Sequence, residues 1–215
     1  MKIVCLWSGG KDSCFAYYKA KQHGYDVVAL LNFICSDNEK VLSHGFSSDL
    51  ILLQAENIGV SVVQEIMPKD KYRENFKRLI YQMKEEHGIE GIVFGDIFLQ
   101  EHKDWIDKIC AELEVEAIMP LWGADTGVLI KEFIEEGFKS IIIAVKKELL
   151  EEKFLGCRLD EEFIKNLDPK IDPCAERGEF HTFVYDGPVF KKTVEFSTGK
   201  KVLQDKHMFL EVKVV

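Results

Sequence analysis

The sequence predicts an α/β fold: a parallel five-stranded doubly wound sheet, followed by a smaller C-terminal α+β subdomain. Three observations predict it. Short apolar runs alternate with amphipathic helical stretches over residues 1–120, the pattern of successive βαβ units. Ile3-Val4-Cys5-Leu6-Trp7 runs into Ser8-Gly9-Gly10-Lys11-Asp12-Ser13 and then a helical stretch, so strand, glycine turn and helix follow without a gap. Beyond residue 120 the alternation stops and the tail turns β-rich.

Taken in order, residues 12–23 form the first helix, stopped at Gly24. Asp26 to Phe33 is a continuous apolar run, as a strand buried on both faces requires. Ser36 to Lys40 is a polar loop. Leu50, Leu53 and Ile58 recur at helical spacing over 46–58, ahead of Gly59. Val60 to Met67 alternates and is read as the third strand. Pro68-Lys69-Asp70 opens a helix over 71–87, ended by Gly88. Ile89 to Phe94 makes the fourth strand and Gly95-Asp96-Ile97 its turn, with a helix over 99–113 and a fifth strand at Ala117 to Met119. A helix over 125–136, a strand at Ile141 to Val145 and a short helix at 159–166 come next. The tail reads as a strand at Phe183 to Tyr185, a turn at Asp186-Gly187-Pro188, a strand at Val189 to Phe196, a turn at Ser197 to Gly199, and a last strand over 207–215. The expected division is a ligand-binding domain over 1–120 and a substrate-binding subdomain over 121–215.

A net charge of −9, from 28 basic and 37 acidic residues, disfavours a large nucleic-acid footprint. No apolar run approaches the roughly 20 residues that cross a bilayer. The short N-terminal run is unlike a signal peptide, so a cytoplasmic protein with no membrane partner is expected. None of the six cysteines forms a C-x-x-C pair, which argues against a zinc ribbon, a redox motif or sulfur-transfer chemistry. Cys5, Cys14 and Cys110 sit in apolar patterns and read as buried thiols.

Residues 8–13 have the layout of an anion site. Gly9 and Gly10 reach backbone angles that a Cβ forbids, so successive N–H groups point into one concavity. The helix that starts near Asp12 adds free N–H groups and its positive dipole end. Ser8 and Ser13 offer hydroxyls, and Lys11 a point charge. The spacing fits neither a Walker A loop nor G-x-G-x-x-G. In a parallel sheet, ligands sit beyond the carboxyl ends of the strands where strand order reverses, so this loop and Gly95-Asp96 are expected to face one crevice.

A second cluster, Glu176-Arg177-Gly178-Glu179-Phe180-His181-Thr182, places two carboxylates, an arginine, an imidazole and a hydroxyl together. If the segment is extended, Glu179 and His181 share a face and Phe180 takes the other. A solvated polar loop before a hairpin accounts for the same residues. A zinc site through Glu179 and His181 lacks a third ligand at a usual spacing.

SGGKDS resembles the PP-loop of the ATP pyrophosphatases, which cleave ATP between the α and β phosphates. It is followed in order by His44, then Gln54-Ala55-Glu56, Gly95-Asp96-Ile97, Pro120-Leu121-Trp122, and a Gly-Glu-Phe-x-Thr segment before Val184-Tyr185-Asp186-Gly187-Pro188. Over nearly its whole length the chain resembles the diphthine–ammonia ligase family of PP-loop (N-type) ATP pyrophosphatases. That resemblance implies an adenine nucleotide alpha hydrolase-like, HUP-type sheet. It also implies an ATP-dependent, amide-forming ligase that adenylates a carboxylate, releases pyrophosphate and transfers ammonia, leaving AMP. ATP and Mg²⁺ are the implied cofactors, and diphthine on elongation factor 2 the acceptor. Ligases of the family carry Glu-Gly-Gly-Glu-Phe/Tyr-Glu-Thr, where this chain has Arg177 and His181, and Ser-Asp-Tyr-Gln, where it has residues within Phe98-Leu99-Gln100-Glu101-His102. A His in this segment resembles a branch linked to cobalamin salvage, which makes a corrinoid acid the alternative acceptor. An adenine-nucleotide-binding or hydrolysing protein without ligase activity is the other alternative.

The resemblance assigns Ser8, Gly9, Gly10, Lys11, Asp12 and Ser13 to the phosphates, with Asp12 also on Mg²⁺. It assigns Leu31 and Asn32 to adenine, Gly95 and Asp96 to the nucleotide, and His44, Glu176, Glu179, His181 and Thr182 to the acceptor. Lys11, Asp12 and Glu179 are the expected catalytic residues. A core Leu31, a turn Asp96 and a helix-charge Asp12 are the plainer readings of those three. Trp105 and Trp122 read as packing residues. Oligomeric state stays open, with a homodimer as one expectation.

Overall fold

The computed structural model describes residues 1–36, 40–41, 45–68 and 70–215; Asp37 to Glu39 of the polar loop, His44 and Lys69 lie outside the described residues. Among the described residues the first half forms β1 (Lys2–Leu6), β2 (Asp26–Cys35), β3 (Val62–Met67), β4 (Gly91–Val93) and β5 (Glu116–Ile118). These five strands pair in parallel in the order β3-β2-β1-β4-β5. The order reverses between β1 and β4, which opens the crevice of a doubly wound sheet. Helices α1 (Lys11–Gln22) and α2 (Ser48–Ile58) cover one face, and α3 (Tyr72–His87) and α4 (Gln100–Leu113) the other.

The second half supplies α5 (Thr126–Glu135), β6 (Lys139–Lys146), α6 (Glu161–Asn166), β7 (Phe180–Asp186), β8 (Phe196–Gln204) and β9 (His207–Val214). Its strands form an antiparallel sheet in the order β7-β6-β9-β8. One buried apolar cluster runs from α1 and α2 through α5 into β6 and β7, so this sheet packs on the α1–α2 side. The face covered by α3 and α4 has its own cluster around Phe76, Leu79, Ile106 and Leu113.

Local sequence signals place most boundaries. Ser47 Oγ accepts the Asp49 N–H at 3.3 Å to open α2, and Asp125 and Asp160 do the same for Val128 (2.9 Å) and Phe163 (3.0 Å). Gly59 and Gly88 close α2 and α3 in the left-handed conformation. The tail departs from expectation in three places. Val189 to Phe196 is not a strand: the chain folds back, with Val194 N–H donating to Tyr185 O (2.7 Å) and Lys191 N–H to Asn57 O (2.7 Å). Ser197 to Gly199 is not a turn either, because β8 runs through it with a bulge between Thr198 and Lys201. The turn is at Asp205, whose φ is 51°. A glycine among small polar residues signals a turn, but here it serves the bulge. Finally, β7 starts at Phe180 rather than Phe183 and so carries His181 and Thr182 within a strand.

One buried side chain joins α2 to both sheets. Gln54 Nε2 donates to Gly9 O (3.0 Å) and Val184 O (2.6 Å), and Gln54 Oε1 accepts from Trp7 Nε1 (2.8 Å). Val184 N–H also donates to Gly9 O at 3.0 Å. Gln54→Leu removes the side-chain partner of Trp7 Nε1 and Val184 O, while Gly9 O keeps the Val184 N–H. It is expected to lower unfolding stability by about 3 kcal/mol, read from the urea midpoint at unchanged m-value.

Candidate functional site

The Ser8–Ser13 loop is built tightly from its own atoms. Gly9 takes φ +79°, and a Cβ there would stand 2.7 Å from both Ile51 Cδ1 and Phe46 Cζ, so only glycine fits. Ser13 Oγ accepts the Ser8 N–H at 3.2 Å and donates to Gly10 O at 3.1 Å. Ser8 Oγ lies 3.1 Å from Ser13 Oγ and accepts the Gly10 N–H at 3.4 Å. Gly10 precedes α1 and has no side chain to cap it. The cap comes from β7 instead: Thr182 Oγ1 accepts the Lys11 N–H at 3.0 Å.

Over this loop opens a cavity of about 300 Å³. Ser8, Lys11, Asp12 and Ser13 line it from the loop, and Leu31 and Asn32 from the end of β2. Gly95 and Asp96 line it after β4, and Glu176, His181 and Thr182 from the C-terminal half. Gly9 and Gly10 shape the loop from behind and are not among the lining residues. At Gly95 a Cβ would fall 2.9 Å from the Asp12 carbonyl carbon and the Ser13 nitrogen, so a glycine lets the end of β4 press against the first turn of α1. The Asn32 side chain is engaged internally: Nδ2 donates to Trp7 O (2.9 Å) and Oδ1 accepts from Gln64 Nε2 (3.2 Å). Leu31 O accepts the Trp7 N–H at 2.8 Å. His44 lies outside the described residues.

The charges are crowded. Lys11 Nζ sits 2.8 Å from Asp12 Oδ2 and 5.6 Å from the centre of the Phe180 ring. Burial opposes the Lys11 charge, but Asp12, Cys174 and Glu176 outweigh it and hold the ammonium pKa above its ordinary value. Burial raises the Asp12 carboxyl; Lys11 draws it down, while Asp172 and Asp96 push it up. Burial takes Glu176 to about 7 against the opposing hydrogen bond from Ile97 N–H, with Asp12 and Asp96 adding to the rise.

The C-terminal cluster divides into distinct jobs. Glu176 Oε1 accepts the N–H groups of Ile97 (2.8 Å) and Phe98 (3.4 Å), which ties the segment to the turn after β4. Asp172 Oδ2 accepts the Glu176 N–H at 2.8 Å. Glu179 and His181 do not share the cavity face: Glu179 is buried, its Oε2 accepts the Arg177 N–H (3.1 Å), and it is not among the lining residues. Its carboxylate folds back because the strand starts only at Phe180. His181 does line the cavity; burial, His207 and Lys11 lower its pKa to about 4, so it is neutral at pH 7. Cys174 is buried, with Sγ against Thr126 O at 3.3 Å and a thiol pushed up to about 12 by burial. Trp105 packs on Phe76 with ring centres 5.4 Å apart, and Trp122 lies under Lys103.

Tyr72 also lines the cavity and escaped sequence reasoning, and His102, within the Phe98–His102 stretch that departs from the family pattern, lines it without having been assigned a role. Both open helices that follow sheet strands, so their position past a strand end was the available signal. His102 Nδ1 lies 2.8 Å from Asp96 Oδ1. Burial and Asp96 push the Tyr72 phenol up to about 12.

Among the described residues, no group of three or more His, Cys, Asp or Glu side chains is placed to hold a metal ion. Asp12 fits the smaller share that Mg²⁺ takes from a protein when phosphate oxygens and water complete its shell. No helix among the described residues is long and apolar enough to cross a membrane.

Because the Glu176 carboxyl is raised in the fold, the folded state binds more protons than the unfolded one between pH 4.5 and about 7. Its contribution to stability is therefore present below pH 4.5 and is lost as pH rises through about 7. Glu176→Gln keeps an oxygen for the Ile97 and Phe98 N–H groups and does not ionise. Thermal unfolding from pH 5 to 8 should show the variant gaining on the wild type by on the order of 1 kcal/mol at the alkaline end.

A family model described as the diphthamide synthase N-terminal domain matches residues 1–117, and one described as the diphthamide synthase C-terminal domain matches residues 125–215. A diphthine–ammonia ligase of Danio rerio is 28% identical over 99% of this chain and 92% of its own length. One of Schizosaccharomyces pombe is 30% identical over 95% of this chain but 37% of its own length. A 7-cyano-7-deazaguanine synthase of Campylobacter fetus is 27% identical over 60% of this chain and 70% of its own. With both halves matched and the loop, its long-range cap and the cavity in place, the chain belongs to the diphthamide synthase family of PP-loop ATP pyrophosphatases and is an ATP-dependent ligase.

Proposed function

We propose that the chain joins ammonia to the carboxylate of diphthine on elongation factor 2, using ATP and releasing AMP and pyrophosphate. The supporting observation is that the phosphate loop and the C-terminal wall share one cavity and are bonded to each other, Lys11 N–H to Thr182 Oγ1 at 3.0 Å. A nucleotide on the loop and an acceptor on the Glu176–Thr182 wall then lie side by side, and holding both reactants in one orientation removes much of the entropic barrier.

In this reading a carboxylate oxygen of the acceptor attacks the α-phosphorus. The bond from that phosphorus to the bridging oxygen of the β-phosphate breaks, and pyrophosphate leaves. The free N–H groups at the start of α1, the Ser8 and Ser13 hydroxyls and Lys11 hold the phosphates. Asp12 orients Lys11 and would hold Mg²⁺, which when bound neutralises phosphate charge. The ends of β2 and β4, at Leu31, Asn32, Gly95 and Asp96, flank the nucleoside. Ammonia then displaces AMP from the acyl carbon. Neutral His181 faces the acceptor without adding charge, and Glu176 holds the wall against the β4 turn. Residues 1–120 serve the nucleotide and 121–215 the acceptor.

With diphthine-bearing elongation factor 2, ammonium, Mg²⁺ and phosphate-labelled ATP, the wild-type protein should form AMP and pyrophosphate. ADP and phosphate as products would overturn the reading. Lys11→Ala should slow AMP formation at least about 100-fold, while Glu179→Gln, away from the cavity, should keep nucleotide binding within about twofold by calorimetry.

A further inference from the structure

The cavity is richer in acid than its phosphate side explains. Lys11 and Asp12 face each other at 2.8 Å, which leaves Asp96 and Glu176 as further carboxylates on the lining. Both oxygen-bearing ends are engaged differently. Glu176 Oε1 takes two backbone N–H groups, whereas Asp96 Oδ1 takes an imidazole, His102 Nδ1 at 2.8 Å.

The backbone that carries that pair is held from several sides, while the His102 side chain itself is more than half exposed. Asp96 follows β4 within the turn that Glu176 clamps at Ile97 and Phe98. His102 sits in the first turn of α4, where its N–H donates to Leu99 O at 3.0 Å and the next N–H, of Lys103, to the same oxygen at 3.1 Å. Arg177 stacks on Phe98 with its guanidinium carbon 4.8 Å from the ring centre, which pins the turn from the C-terminal half. An imidazole that gives its Nδ1 proton to a carboxylate presents the Nε2 lone pair to a second donor, the arrangement of a positioned base.

Of the other titratable groups on the lining, Glu176 spends Oε1 on the Ile97 and Phe98 N–H groups, and three more are unsuited. Lys11 stays charged beside Asp12. Tyr72 keeps its phenolic proton to about 12. His181 is held neutral by burial and by its neighbours His207 and Lys11, and any proton placed there meets that same opposition.

We infer that His102, oriented by Asp96, takes the proton released when ammonia attacks the acyl-adenylate. The inference rests on the ligase reading above and assigns it a base. The ammonia nitrogen forms a bond to the acyl carbon and the carbonyl electron pair moves onto oxygen. One N–H proton of the adduct passes to His102 Nε2. The pair returns, the carbon–oxygen bond to AMP breaks, and AMP leaves with its electrons. The product amide keeps two hydrogens, and His102 hands its proton to water. Asp96 is then a positioning residue: it selects the tautomer and stabilises the imidazolium.

The test separates the two half-reactions, with diphthine-bearing elongation factor 2 as the acceptor. Acceptor-dependent exchange of labelled pyrophosphate into ATP reports adenylation; amide formation from ammonium reports the second step. His102→Ala should slow amide formation at least about 100-fold more than exchange. Hydroxylamine, a nitrogen nucleophile whose less basic nitrogen makes the protonated adduct acidic enough to lose its proton to water, should recover most of the lost rate. Asp96→Asn should show the same split more weakly. Equal loss of both half-reactions, no loss of amide formation, or no recovery with hydroxylamine overturns the base assignment while the ligase reading stands. Absence of exchange in the wild-type enzyme overturns the ligase reading itself, and the inference with it.

Discussion

The hydrogen bonds of Gln54 are the joint on which the rest of the structure depends. Its amide reaches Trp7 at the end of β1 and Gly9 in the loop just after it, and also Val184 in β7, far away in sequence. A buried amide in this position has no tolerance for a missing partner, since each loses its water on folding. The cost of ordering so polar a contact is repaid in shape. Gly9 is held at φ +79° with no room for a Cβ, and the two N–H groups that follow it are taken by Ser8 Oγ and Thr182 Oγ1. The C-terminal sheet is thus part of the frame that gives the loop its form.

The electrostatics follow from the same arrangement. The frame brings Asp12, Asp96, Asp172 and Glu176 close enough to disturb one another, and Asp12 already pairs with Lys11. Such a site repels a bare polyanion.

Much of this was legible in the sequence, and for identifiable reasons. β1 and β2 are apolar runs and β3 alternates, and α2 and α3 end on Gly59 and Gly88, so periodicity and caps sufficed. The loop was visible because glycine, lysine and serine at that spacing serve one chemistry. The tail was misread where local signals had a second use: Gly199 sits in a bulge and Asp205 makes the turn. In the site, position was easier to read than role. Thr182 stood out beside Glu179 and His181, but only the fold shows that its hydroxyl caps α1 and that Glu179 turns away from the cavity. Tyr72 carries no motif and His102 stands in a stretch that departs from one; both reach the cavity because their helices begin at strand ends.

The cap on α1 also has a bearing on how the protein is made. The bond from Lys11 N–H to Thr182 Oγ1 spans 171 residues, and the Gln54 bond to Val184 O spans 130. Contacts so distant in sequence form late, because their loops must close before they contribute anything. A chain emerging from the ribosome completes its parallel sheet first, with the glycine loop still lacking a cap and a brace. Only when β7 docks is the loop locked in place. The fold therefore leaves the glycine loop unfinished until the C-terminal sheet has been built.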